Sequence, residues 1–368
     1  MCAPQDPLPA PVPQEQAENY AQHTSALVEA VNTALFARTD LMDLLHDCPR
    51  ETIAANHRNH AAFMATVLRL GNFVLLRKTL PWVYRAYHNQ GVAYAYFRVE
   101  LETWINAISR ILPPPVDGIL AVYQWMLDRH ETTIAESQRP SPTPEPEDPK
   151  WKPTCADFTR AIMAGDVVAC LSYVRQWVHD ADSMLEFFIQ VLQPALYTVG
   201  AHWENGTITV AQEHLASAIV ARILASIPAA SFAPPELRRG TAVVSAAANE
   251  FHEIGAWMVA MALESDGWNV HYLGANTPRQ DLEEFVRRTQ PDLLCLSVAM
   301  PFNLEAAHRT IADLRRDPET ACIRILVGGQ ALLHDPEIAH TLGADAFAPS
   351  CSAARDVALE LLRSKREP

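Results

Sequence analysis

The chain has 368 residues, 49% hydrophobic and 20% charged, with a formal charge of −14. This is the balance of a folded globular protein and excludes global disorder. The length suggests two or three domains at roughly 100–200 residues each. The acidic balance argues against nucleic acid as a direct partner, because a duplex is met by a basic face. Seven cysteines, at 2, 48, 155, 170, 295, 322 and 351, form no C-x-x-C pair. That spacing disfavours zinc and suits reduced thiols in a cytoplasm. The N-terminus has neither the basic start nor the apolar stretch of a signal peptide, and no run reaches the roughly 18 apolar residues of a membrane span.

In chain order, residues 1–14 hold five prolines and are expected to be a disordered tail. Residues 15–138 read as helices, with apolar positions at helical spacing, Asp40 and Thr52 as caps and Gly91 as a stop. Residues 139–153 hold six prolines and read as a solvated linker. Residues 154–235 give four helices, expected to form a bundle cap. Asn205-Gly206 signals a turn within it, and Thr209 with Gln212 a capping box that starts the next helix.

From 236 to 368 the pattern changes to short apolar strands alternating with helices that start near Ile254, Arg279, Asn303, His334 and Ser352. Near-continuous apolar strands between helices mean a parallel sheet covered on both faces, a flavodoxin-like, Rossmann-type domain. The fold class is therefore multidomain, α and α/β. Ligands of such sheets bind outside the carboxyl ends of the strands.

The first strand runs into Glu250-Phe251-His252-Glu253-Ile254-Gly255, an E-x-H-x-x-G pattern. An imidazole there can bind a transition metal, Glu250 can fix its tautomer, and Gly255 permits close approach of a bulky ligand. A histidine in such a loop is equally common as a plain surface residue. Ser297 ends the third strand, and Gly328 and Gly329 end the fourth, on the same edge. A hydroxyl and two residues without side chains leave a slot there.

H-x-x-G after the first strand, a serine after the third and G-G after the fourth resemble the cobalamin-binding Rossmann domain. The resemblance implies a base-off cofactor with His252 as lower axial cobalt ligand, and Ser297, Gly328 and Gly329 around the nucleotide tail. Glu250 departs from the usual aspartate, and Ser297-Val298-Ala299 from the usual S-x-L or S-x-T. In the cap, Trp203 followed after nine residues by Glu213-His214 resembles the adenosylcobalamin photoreceptors that regulate carotenoid genes. That implies Trp203 packing on the upper adenosyl group and Glu213 and His214 contacting the adenosine. Glu204 stands where that family carries a second histidine. The likeness spans residues 154–364.

The photoreceptor repressors begin with a basic helix-turn-helix domain, which residues 15–138 do not resemble. The stretch around Trp82, Tyr84, Tyr87, His88, Tyr94, Tyr96 and Arg98 is similar to non-haem globin-like sensor domains. Aromatics at helical spacing also serve simply as core. With the cobalamin module, the whole resembles the photocobilins, which implies a globin-like N-terminal domain holding biliverdin. Arg98 or Arg85 would pair with a propionate, and His88 would bond a pyrrole or lactam. Cys48 is the domain's one cysteine, so a non-covalent bilin is expected. The function expected is a cytoplasmic, non-enzymatic light sensor, a homodimer signalling to a separate effector, with neither nucleic acid nor membrane as partner. The alternative is a corrinoid carrier protein of a methyltransferase system.

Overall fold

The structure, a computed structural model, describes residues 7–46, 48–234, 236–333 and 335–366, apart from the side chains of 365 and 366. It divides into two compact units, Met1–Ser141 with Glu204–Gly206, and Pro142–Trp203 with Thr207–Pro368.

The first unit is helical: α1 (Gln14–Phe36), α2 (Leu41–Leu45), α3 (Arg50–Leu70), α4 (Phe73–Asn89), α5 (Tyr94–Ile111), α6 (Asp117–Asp128) and α7 (His130–Ser137). Gly71 at φ 62° ends α3, Asn72 caps α4 by accepting from the Leu75 N–H, and Gly91 at φ 99° follows α4 as expected. The other two expected caps are corrected. Thr52 lies inside α3, which starts after Pro49, and Asp40 pairs with Arg38 at 2.6 Å without capping α2. Leu27, Val31, Met64, Val67, Leu101 and Ile108 build the core.

That core also holds polar groups. His57 Nδ1 bonds Asn32 Oδ1 at 2.6 Å, and Tyr96 donates to His57 Nε2 at 2.7 Å. The Glu100 carboxylate lies 3.7 Å from the same nitrogen. The Tyr123 hydroxyl meets His60 Nε2 at 2.9 Å and the Tyr20 hydroxyl at 2.6 Å. The expected disorder of residues 1–14 is corrected over the described part. Val12 is buried, and the Pro7 carbonyl accepts from Trp125 Nε1 at 3.0 Å, because an apolar side chain and a free carbonyl both find partners on α6.

The second unit opens with the cap: α8 (Lys152–Ala164), α9 (Val167–Trp177), α10 (Ala181–Phe187), a π turn Phe188–Leu192, α11 (Gln193–Glu204) and α12 (Val210–Ser226). The linker expectation for 139–153 is corrected at its end. Pro149–Trp151 is a 3-10 turn, and the Trp151 ring is buried 4.6 Å from that of Trp177, since an indole is worth more inside than in a solvated tether. The Thr209–Gln212 capping box is present. Val210–Phe232 is long and apolar enough to cross a membrane by length and composition, which corrects the expectation that no segment is. In the fold its Ala216, Ile219, Val220, Ile223 and Leu224 are buried in the cap core.

The sheet follows: β1 (Thr241–Ala246), β2 (Asn269–Gly274), β3 (Leu293–Ser297), β4 (Arg324–Gly328) and β5 (Ala346–Ala348), all parallel, in order β2-β1-β3-β4-β5. Helices α13 (Ile254–Ser265), α14 (Arg279–Thr289), α15 (Leu304–Arg316), α16 (Ile338–Leu342) and α17 (Cys351–Arg366) cover it. His334, near which one helix was expected to start, lies outside the described residues. Met258, Met261 and Ala262 of α13 share one core with Phe187, Phe188 and Ile219 of the cap. The strand order reverses between β1 and β3, and the crevice at such a switch point is where this fold binds ligands.

Candidate functional site

Glu250 and His252 lie in the loop from β1 to α13. The Glu250 carboxylate is fully buried. Its Oε1 accepts from the His252 backbone N–H at 3.1 Å and from Nδ1 at 2.6 Å. Its Oε2 accepts from the backbone N–H groups of Ala299 and Met300 at 2.9 and 2.8 Å, and from Asn303 Nδ2 at 3.0 Å. Burial pushes the Glu250 carboxyl up, but the bonds from His252, Asn303 and Met300 outweigh it and hold the group below the usual carboxylate range. The bond to Glu250, with a further contribution from the Glu213 charge, raises His252 against the effect of burial. A carboxylate that accepts at Nδ1 leaves the lone pair on Nε2. The longer arm of glutamate therefore still reaches the imidazole.

Gly255, Ser297, Gly328 and Gly329 line one cleft of about 740 Å³ beside this loop. A Cβ on Gly328 would lie 2.8 Å from the Ala348 carbonyl, and one on Gly329, at φ +102°, would lie 2.3 Å from that of Val298. The close strand and loop passages at the cleft thus require glycine. Sequence reasoning missed Gln193, Leu196 and Tyr197 of α11, which line the same cleft, and Asn303, which helps to hold Glu250.

On the cap, Glu213 Oε2 accepts from His214 Nδ1 at 2.6 Å and Oε1 from the Ser217 hydroxyl at 2.7 Å. The His214 side chain is 74% exposed. Trp203 is half-buried and makes no hydrogen bond to either residue among the described residues. Glu204 is engaged within the first unit: Trp82 Nε1 donates to its carboxylate at 2.7 Å, and the Ser141 hydroxyl donates to the other oxygen.

The other aromatic residues expected around a bilin fall into two groups. Tyr84 and Tyr96 are buried core, Tyr84 stacked on Phe97 at 3.9 Å. Tyr87 is half-buried, His88 stacks on Tyr94 at 3.9 Å and bonds the Val92 carbonyl, and Arg98 is exposed on α5. Arg85 donates to the Ser137 carbonyl and to the Ser141 hydroxyl.

Among the described residues no three His, Cys, Asp or Glu side chains are grouped to hold a metal ion. His252 is a single-point ligand, which suits a metal that brings its remaining ligands with it.

Residues 240–358 match a family model described as a B12 binding domain, and residues 154–227 match a second model of that description. The HTH-type transcriptional repressor CarH of Myxococcus xanthus is 30% identical over 278 residues, 74% of this chain and 86% of that protein. CarA, an HTH-type transcriptional repressor of the same organism, is 28% identical over 214 residues, 57% of this chain and 69% of that protein. Dimethylamine corrinoid protein 3 of Methanosarcina acetivorans is 26% identical over 171 residues, 46% of this chain and 79% of that protein. The two repressors overturn the expectation that nucleic acid is no direct partner, since a repressor of transcription acts on DNA. Net charge is a sum over the whole chain and does not describe the face that one domain presents. By these matches the chain belongs to the B12-binding family of the HTH-type transcriptional repressor CarH.

Proposed function

We propose that this chain is a light-sensing regulator that holds adenosylcobalamin, base-off, in its second unit. The observation that carries the reading is the buried Glu250 bond that leaves His252 Nε2 as a lone ligand beside a glycine-built cleft. When bound, adenosylcobalamin supplies a cobalt–carbon bond that light breaks. His252 is the lower axial ligand, Glu250 keeps the proton on Nδ1, and Gly255, Ser297, Gly328 and Gly329 receive the nucleotide tail. Trp203 covers the adenosyl side, and Glu213 and His214 bond the adenosine. The cap rests on α13 through Met258 and Met261, so a change in what Trp203, Glu213 and His214 touch alters that packing. Glu204, already bonded in the first unit, offers no second imidazole.

The finer part of the reading is a globin-like first unit that holds biliverdin without a covalent link. Tyr87, His88, Tyr94 and the exposed Arg98 support it as the contacts left outside the core. We also infer a cytoplasmic, non-enzymatic homodimer.

The test is the absorption spectrum of the full chain with adenosylcobalamin, in the dark and then under green light, with and without biliverdin. A light-driven change is expected, and an unchanged spectrum overturns the photoreceptor reading. Adding DNA from the protein's own promoter, dark and lit, separates action on DNA from action through another protein.

A second reading, a corrinoid carrier, is favoured by the exposure of His214, which suits an upper face open to a partner enzyme. Trp203→Ala should abolish preference for the adenosyl form in a photoreceptor and leave methyl transfer intact in a carrier.

A further inference from the structure

The cleft at the switch point is roofed by the cap as well as walled by the sheet. Val244, Cys295 and Leu326 come from the strands, Met258 and Val259 from α13, and Leu196 from α11. Side-chain nitrogen and oxygen atoms come from four of the lining residues: Gln193, Tyr197, Ser297 and Ser350. The two from the cap are already bonded to each other, Gln193 Nε2 donating to the Tyr197 hydroxyl oxygen at 3.0 Å across one turn of α11. Ser350 accepts from the Ala353 N–H at 3.2 Å.

Immediately before α11 stands the five-residue π turn Phe188–Leu192. One extra residue in a helix rotates everything after it by about 100°. The π turn therefore decides which face of α11 meets the cleft, and that face carries Gln193, Leu196 and Tyr197.

We propose that this face of the cap selects the lower base of the corrinoid, admitting a benzimidazole and discriminating against a purine. The proposal rests on the cobalamin reading above and adds a specificity that the lower ligand His252 cannot supply. A benzimidazole brings an apolar bicycle and a single free ring nitrogen, which the Ser297 hydroxyl suffices to satisfy. Adenine brings further ring nitrogens and an exocyclic amine. Against Leu196, Val259 and Leu326 these lose water without gaining partners, and each unpaired buried group costs affinity. A preference of about tenfold or more follows.

The experiment titrates the full chain in the dark with cobalamin and with its adenine-based analogue, following the absorbance change of base-off, histidine-ligated binding. Cobalamin should bind about tenfold or more tightly. Leu196→Gln supplies a polar partner at the roof and should shrink that ratio toward one, with the melting temperature of the ligand-free protein as a check on folding. Equal affinities overturn the proposal while leaving the cobalamin reading intact, as does a ratio that Leu196→Gln leaves unchanged. Failure to bind either corrinoid overturns both.

Discussion

The Glu250 carboxylate, wholly buried, holds Nδ1 of His252 at 2.6 Å, while the His252 side chain is 61% exposed. One residue is anchored by backbone N–H groups of the loop after β3, and the other is thereby aimed outward with its tautomer fixed. The pair transfers the rigidity of the sheet to an exposed imidazole. A flexible loop histidine would have to be ordered at the moment of binding, at a cost in affinity.

Glu250→Gln should therefore weaken corrinoid binding by about 10- to 100-fold, the usual effect of removing an outer partner of a ligating histidine. An amide cannot accept from the imidazole and from two backbone N–H groups as a carboxylate does. Absorbance titration measures the affinity, and nitrogen chemical shifts of His252 report the tautomer. Wild-type affinity in the Gln variant would remove the positioning role.

The glycines of the cleft should divide into two kinds. Gly329→Ala puts a Cβ 2.3 Å from the Val298 carbonyl at φ +102°, so it should destabilise the second unit by on the order of 3 kcal/mol. Gly255→Ala meets the Ser297 hydroxyl at 3.9 Å, an ordinary contact, in the first turn of α13. It should leave stability unchanged or raise it by up to about 1 kcal/mol, yet narrow the cleft and weaken corrinoid binding. Thermal unfolding and titration of both variants check this, and loss of stability in Gly255→Ala would contradict it.

Much of the second unit was legible because its signals are local. Val243, Leu294 and Val327 read as strands covered on both faces, and E-x-H-x-x-G sits in one loop. What escaped were partners brought together by topology. Asn303 and the N–H groups of Ala299 and Met300 reach Glu250 across about fifty positions of chain, with nothing in their spacing to announce it. Gln193 and Tyr197 were hidden because a π turn shifts the phase on which helical periodicity depends. In 139–153 the prolines masked one indole, Trp151, that anchors the segment's end in the cap. In the first unit, His57 and Glu100 count as polar and so read as a solvated face, although both point inward.

That inward cluster predicts how the first unit responds to pH. Burial pushes Glu100 up to about 7, against a smaller opposing effect of Trp104. Burial, with the nearby Arg58 charge, lowers His57 to about 4, and burial, with His57, lowers His60 to about 3. Between pH 4.5 and 7 the folded state keeps a proton on Glu100 that the unfolded chain has lost, so this group's stabilisation declines as pH rises through 7. The histidines act oppositely. Below about 6.5 the unfolded chain binds protons that the buried rings refuse, so their effect is to raise stability as pH climbs from 4 to 6.5. Stability of the first unit should therefore rise to a maximum near pH 6.5 and then fall. Glu100→Gln keeps the rise and removes the fall. The difference between wild type and variant should change by about 3 kcal/mol between pH 4.5 and 8, the worth of a shift of this size. Urea unfolding followed across that range decides it: a wild type and a Glu100→Gln variant with parallel profiles would show that the carboxyl titrates as it does in water.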